Sequence, residues 1–293
     1  MTTLTLRNHP FVWGRQSYLM GIINATPDSF SGDGVLAEAD WVGAAVAQGQ
    51  RFAAEGAHLL DVGGESTRPG AAPVAAAEEM QRVLPVIEGL IAVTDLPISI
   101  DTSKAAVAEA ALAAGASLVN DVWGLRLDPA LADVAARWHA PVVLMHNRSR
   151  REHVALHPAL GGRYVGSDYT DLLGDIAAEL QLSIQIARRA GIPDQHIILD
   201  PGLGFGKTVA QNLALLNRLD ELDARLGRAY PWLVGPSRKS FIGYTLDLPP
   251  EQRLEGTAAA VAIAITRGAD ILRVHDVQAM ARVARMTDAI VRQ

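Results

Sequence analysis

The chain has 293 residues, 49% hydrophobic but only 5% aromatic, so Ala, Val, Leu and Ile must fill its core, a composition suited to helices packed closely on a parallel sheet. A net charge of −6, from 26 basic against 32 acidic residues, offers no electrostatic footprint for nucleic acid or an anionic membrane. There is no cysteine, which excludes disulfides, thiolate metal sites and a cysteine nucleophile.

Residues 1–11 lack a basic segment followed by a long apolar stretch, and no apolar run approaches the ~18 residues of a membrane span. Both points predict a cytoplasmic protein. Residues 2–15 read as a short hairpin. Eight short apolar runs follow: Tyr18–Asn24, Ala57–Asp61, Pro97–Asp101, Ser117–Asp121, Pro141–His146, His196–Asp200, Pro231–Pro236 and Asp270–His275. Between them lie segments with helical apolar spacing, including Ala75–Ile91, Ser103–Ala114 and Gln252–Arg267. Asp40, Ser103 and Asp128 are expected helix caps, and Gly56, Gly115, Gly191 and Gly268 are expected helix stops. The stretch Asn147–Asp168 reads as a long loop after the fifth strand.

Short strands alternating with longer helices are the pattern of a parallel α/β fold. The reading is one (β/α)8 TIM barrel over residues 1–293, with a core of about 18–293 and a short N-terminal hairpin-like extension. A doubly wound sheet is the alternative, but Asn24-Ala25-Thr26-Pro27 stands where its Gly-rich fingerprint should follow the first strand. Every run ends in polar residues: Asn24, Asp61, Asp101, Asn120 with Asp121, His146, Asp200, Ser237 to Lys239, and Arg273 with His275. Helix capping explains any one of them; a shared barrel mouth explains them together. Asp101, Asp200 and Asn120 suit the donor edge of an amino-heterocycle. Lys239, Arg273, His275 and Arg68 suit an anionic tail.

Gly202–Thr208 imitates a phosphate-binding loop, but Pro201 occupies the position of its first glycine, so a Gly-rich turn under a planar ligand is expected instead. His153 and His157 have helical metal-ligand spacing without the accompanying glutamate, and read as surface residues. No G-x-S-x-G elbow for a serine hydrolase occurs.

The phrases MGIINATPDSFSGDG (Met20–Gly34), DVGGESTRPGA (Asp61–Ala71), SIDTSK (Ser99–Lys104), VNDV (Val119–Val122), LMH (Leu144–His146), LDPGLGFGKT (Leu199–Thr208), VGPSRKSFIG (Val234–Gly243) and RVHDV (Arg273–Val277) resemble, in order, the dihydropteroate synthase family. The resemblance implies Mg2+-assisted condensation of (7,8-dihydropterin-6-yl)methyl diphosphate with 4-aminobenzoate. It implies a pterin site of Asp101, Asn120, Asp200 and Lys239. Thr67, Arg273 and His275 would anchor diphosphate, and Arg68, Pro69, Phe205 and Ser237 would line the 4-aminobenzoate site. Asn24 would bind Mg2+; Asp101, Lys239, Arg273 and His275 would be catalytic. Thr26 to Gly34 would be a mobile first loop, and a homodimer through barrel helices is implied, with Gly256–Ile265 as a possible contact face. Two departures stand out: Ser31-Gly32-Asp33-Gly34 in the first loop and Asn147-Arg148-Ser149-Arg150 after His146. Alternatives are a pterin-dependent methyltransferase, which has no diphosphate to bind, and a non-catalytic pterin-binding paralogue. Asp61, Asp121 and His146 are left without a role.

Overall fold

Every apolar run forms a strand in the computed structural model, which describes residues 3–25, 40–66, 72–165 and 168–292. The chain begins with β1 (Thr3–Leu6) and β2 (His9–Val12), then β3 (Tyr18–Asn24), α1 (Trp41–Glu55), β4 (Leu59–Gly63), α2 (Ala76–Val93), β5 (Ile98–Asp101), α3 (Ala105–Ala113), β6 (Leu118–Asp121), α4 (Ala130–Arg137) and β7 (Val142–Met145). It continues through β8 (Val154–His157), β9 (Gly161–Tyr164), α5 (Leu172–Arg189), β10 (Ile197–Asp200), α6 (Val209–Asn217) and α7 (Leu219–Arg225). The last elements are β11 (Leu233–Val234), α8 (Ser240–Leu246), α9 (Leu254–Thr266), β12 (Ile271–Val274) and α10 (Val277–Val291).

Eight strands pair in parallel in the order β10-β7-β6-β5-β4-β3-β12-β11. A bridge between Leu199 and Trp232 joins the two ends, with Leu199 N–H donating to Pro231 O at 2.9 Å. The ring is therefore a barrel. Side chains on a strand alternate between faces. Leu60, Ile98, Ile100, Val119, Val142, Leu144, Leu199 and Leu272 point outward into a core shared with the helices. Met20, Leu59, Leu118, Val143, Ile198, Leu233 and Ile271 point inward, and Leu4, Leu6, Phe11 and Trp13 of the β1–β2 hairpin close over them. The hairpin read from residues 2–15 thus plugs one end of the barrel.

One further step of two residues along four of these strands leads from Leu59 to Asp61, Leu118 to Asn120, Ile198 to Asp200 and Ile271 to Arg273. The lower barrel is apolar and the upper barrel polar because each of these four strands changes character on its inward face.

Helix signals held with one exception. Asp40 accepts from Gly43 N–H at 2.9 Å, and Gly56, Gly115, Gly191 and Gly268 all take positive φ after their helices. Ser103 does not cap α3; its hydroxyl donates to Asp121 at 2.5 Å. Asp128 serves two helices instead, accepting from Ala105 N–H at 2.8 Å and Ala130 N–H at 3.1 Å. The stretch after β7 is not all loop, since β8 and β9 pair as an antiparallel hairpin within it. Gly256 packs against α8, where a Cβ would lie 2.3 Å from Ile242, so the small-residue face of α9 is partly used within the barrel. Among the described residues no helix is long and apolar enough to cross a membrane.

Candidate active site

Asp61, Asp101, Asn120 and Arg273 form one hydrogen-bonded cluster from four different strands. Arg273 donates through Nε to Asp61 at 2.6 Å and through Nη2 to Asp101 at 2.6 Å. Asn120 Nδ2 donates to the same Asp61 oxygen at 3.1 Å. Burial pushes the Asp101 carboxyl up to about 7, against the pull of Arg273, and the Asp61 charge adds to the rise. Burial also works against the Arg273 guanidinium, but the facing Asp61 and Asp101 carboxylates outweigh it and raise its pKa. An arginine expected only at an anionic tail is thus also bonded to two carboxylates of the pocket floor.

Across the mouth, Asp200 accepts from Gly202 N–H at 2.7 Å and is raised above the usual carboxylate range by burial. Lys239 donates to Leu203 O, and its Nζ lies 4.6 Å from the centre of the Phe205 ring. Burial pushes this lysine down to about 8, with Asp200 and Asp101 opposing and Arg273 reinforcing the fall. Asp101, Asp200 and Arg273 all lie near enough to Lys239 for their charges to act on it. At the rim, Ser237 Oγ accepts from His275 N–H at 3.1 Å and lies 3.0 Å from His275 Nδ1. Arg238, between them in sequence, is committed outside the pocket to Asp276, at 3.0 and 2.5 Å.

Asn24 ends β3 in register with Gly63, which is in turn beside Asp101. Among the described residues no group of three or more His, Asp or Glu could hold a metal. A neutral amide oxygen is one ligand only. It fits Mg2+ in the mode where substrate phosphates and waters fill most of the coordination shell. Thr67, Arg68 and Pro69, and the first loop from Thr26 to Gly34, lie outside the described residues.

Sequence reasoning missed two contributors and left one neighbour unexplained. Asp61 bridges Arg273 and Asn120; its inward register with Leu59 was the available signal. Lys207, set aside with the false phosphate loop, is fully buried and contacts His146 Nδ1 at 2.9 Å. The turn it anchors has Gly202, Gly204 and Gly206 at positive φ. Asp121 faces the other way, accepting from Trp123 and Leu125 N–H at 2.9 and 2.6 Å. Its role is to shape the β6 loop.

The family profile for pterin binding enzymes matches residues 20–275. A dihydropteroate synthase of Bacillus subtilis is 48% identical over 275 residues, covering 94% of this chain and 89% of that protein. Dihydropteroate synthase of Xanthomonas albilineans with 4-aminobenzoic acid superposes with a TM-score of 0.86 at 43% identity, covering 99% of this chain and 98% of the other. The same enzyme in complex with 7,8-dihydropteroate gives 0.83 at 41% identity, covering 98% of each chain.

Proposed function

The chain belongs to the pterin binding enzyme family, and from that premise we propose how its site acts as a dihydropteroate synthase of folate biosynthesis. The reaction joins 4-aminobenzoate to (7,8-dihydropterin-6-yl)methyl diphosphate and releases diphosphate. The observation that carries the reading is the floor of the mouth. Two carboxylates, Asp101 and Asp200, and the Asn120 amide stand at the ends of barrel strands there, and the charges of Asp101, Asp200, Lys239 and Arg273 act on one another.

An aminopyrimidinone ring presents N–H donors along one edge and a carbonyl on another. Asp101 and Asp200 accept from the donors, Asn120 both donates and accepts, and Lys239 donates to the ring acceptors. This orients the pterin with its methylene toward the rim. Arg273 and His275 hold the diphosphate and stabilise the negative charge that grows as the C–O bond breaks. The dihydropterin ring delocalises the positive charge left on the methylene. The arylamine nitrogen then forms the new C–N bond and loses a proton, with diphosphate as the leaving group. Phe205, Ser237, Pro69 and Arg68 hold the 4-aminobenzoate, and Thr67 joins the diphosphate anchors. Positioning is the main demand on these residues, because the nucleophile arrives with the substrate. Asn24 would hold Mg2+, which supplies charge neutralisation to the diphosphate when bound. A cytoplasmic location, a homodimer and the single-barrel organisation of residues 1–293 belong to the same proposal.

Calorimetric titration with 6-hydroxymethylpterin tests the floor. Wild-type protein should bind it, and Asp200→Asn should weaken binding at least about tenfold, as expected for loss of a charge-assisted hydrogen bond. Unchanged affinity in that variant would remove Asp200 from the pocket.

A further inference from the structure

Lys207 is among the largest side chains that are fully buried, and the reaction outlined above makes no use of it. Its Nζ donates to Gly202 O at 2.9 Å and Phe205 O at 3.1 Å, and lies 2.9 Å from His146 Nδ1. Burial pulls this lysine well below its ordinary value, with Asp200 opposing the fall; while it keeps its charge, the three N–H donors of its ammonium meet three acceptors. His146 must then accept at Nδ1 and carry its proton on Nε2, which lies 3.3 Å from Glu179. Burial, reinforced by the Lys207 charge, pushes the imidazole down to about 3, so it stays neutral across the physiological range. Glu179 is itself held by Arg126 at 3.0 Å and Arg148 at 2.5 Å.

The segment so tied is the turn under the site. Asn212 of α6 secures its other side, accepting from Gly204 N–H at 2.6 Å and donating to Lys207 O at 3.1 Å and Thr208 O at 2.8 Å. Packing leaves no slack: a Cβ on Gly202 would lie 1.9 Å from His146 O, and one on Gly204 would lie 3.0 Å from Lys239 Cδ. The turn presents Leu203 O and the Phe205 ring to the Lys239 ammonium. A buried lysine is costly where an apolar residue would pack without penalty. Here it converts the ends of β7 and β10 into one rigid seat.

We propose that the buried Lys207–His146 pair is a positioning element of the site, locking the Gly202–Phe205 turn so that Lys239 is held in place for the pterin and Phe205 for the 4-aminobenzoate. This rests on the pterin-site reading given above. The groups facing Lys239 are Asp200 on β10, Asp101 on β5, Arg273 on β12 and Lys207 on the turn itself. A loosened turn admits water to Lys239 and returns its pKa toward the ordinary lysine value.

The test compares His146→Leu, which removes the acceptor, with His146→Asn, whose amide oxygen replaces Nδ1, in the full-length protein. His146→Leu should weaken 6-hydroxymethylpterin binding about tenfold, and His146→Asn should recover most of the loss. The basic limb of kcat/KM, set by Lys239 near pH 8, should move upward in His146→Leu alone. Wild-type affinity and an unmoved limb in His146→Leu would overturn the proposal, as would equal losses in both variants that follow thermal stability with the limb unchanged. Should neither variant fold, hydrogen exchange of the wild-type decides. Strong protection without ligand of the Phe205 amide, which closes the turn on the Gly202 O that Lys207 also holds, supports the lock, and rapid exchange contradicts it. Wild-type protein that makes no dihydropteroate would count against the function instead, because pterin affinity and exchange are read without turnover.

Discussion

Asp61 shows how much of the site depends on a residue outside the expected set. Its Oδ2 receives both Arg273 and Asn120. Asp61→Ala removes a fully buried carboxylate shared by two donors, leaving the half-buried Arg273 with Asp101 alone, and should cost about 3 kcal/mol of stability. Pterin affinity should fall with it, as read by denaturant titration and calorimetry. Asp101 carries a pH-dependent conflict. Its folded pKa of about 7 lies above the ordinary carboxylate value of 3.8. Its contribution to stability is therefore present in full below about pH 4 and is lost as pH rises through 7. Binding a donor edge requires the ionised form. Turnover should rise through about pH 7 as Asp101 ionises and fall above about pH 8 as Lys239 loses its proton. Asp101→Asn should abolish pterin binding yet melt no lower than wild type at pH 8 without ligand; a large drop in melting temperature would contradict this account of its burial. Asp101, Asn120, Asp200, Lys239 and Arg273 were legible because each ends an apolar run. The bonds among them were not, since register between strands distant in sequence decides which carboxylate meets the arginine.

The elements were read from punctuation as much as from periodicity. Glycines at 56, 115, 191 and 268 stop their helices at positive φ, and apolar runs marked all eight barrel strands. Capping was less legible, because a side chain has competing partners. Ser103 sits where a cap belongs but donates to Asp121, and Asp128 takes over from a neighbouring loop. Asp128→Ala removes acceptors from α3 and α4 together, and should cost about 2 kcal/mol in chemical denaturation, against about 1 for a single cap. Ser103→Ala should act through the β6 loop instead. The β8–β9 hairpin escaped notice because its strands are half-exposed and contain Gly161 and Gly162, so neither apolar alternation nor β-branched enrichment identified them.

At the scale of the whole barrel, stability and chemistry occupy opposite ends. The hairpin core around Leu4, Leu6, Phe11 and Trp13 lies at the strand starts, and the polar cluster lies at the strand ends. Phe11→Ala should therefore cost about 3 kcal/mol of stability while leaving the KM for both substrates unchanged. A raised KM in that variant would show that the two ends are coupled. The central claim is that the mouth brings a pterin diphosphate and an arylamine together. Purified protein should be mixed with Mg2+, (7,8-dihydropterin-6-yl)methyl diphosphate and 4-aminobenzoate, and 7,8-dihydropteroate and diphosphate measured together. Both should accumulate in equal amounts, and Arg273→Ala should suppress both. Tight pterin binding without either product would contradict that claim and identify a binding protein built on the same barrel.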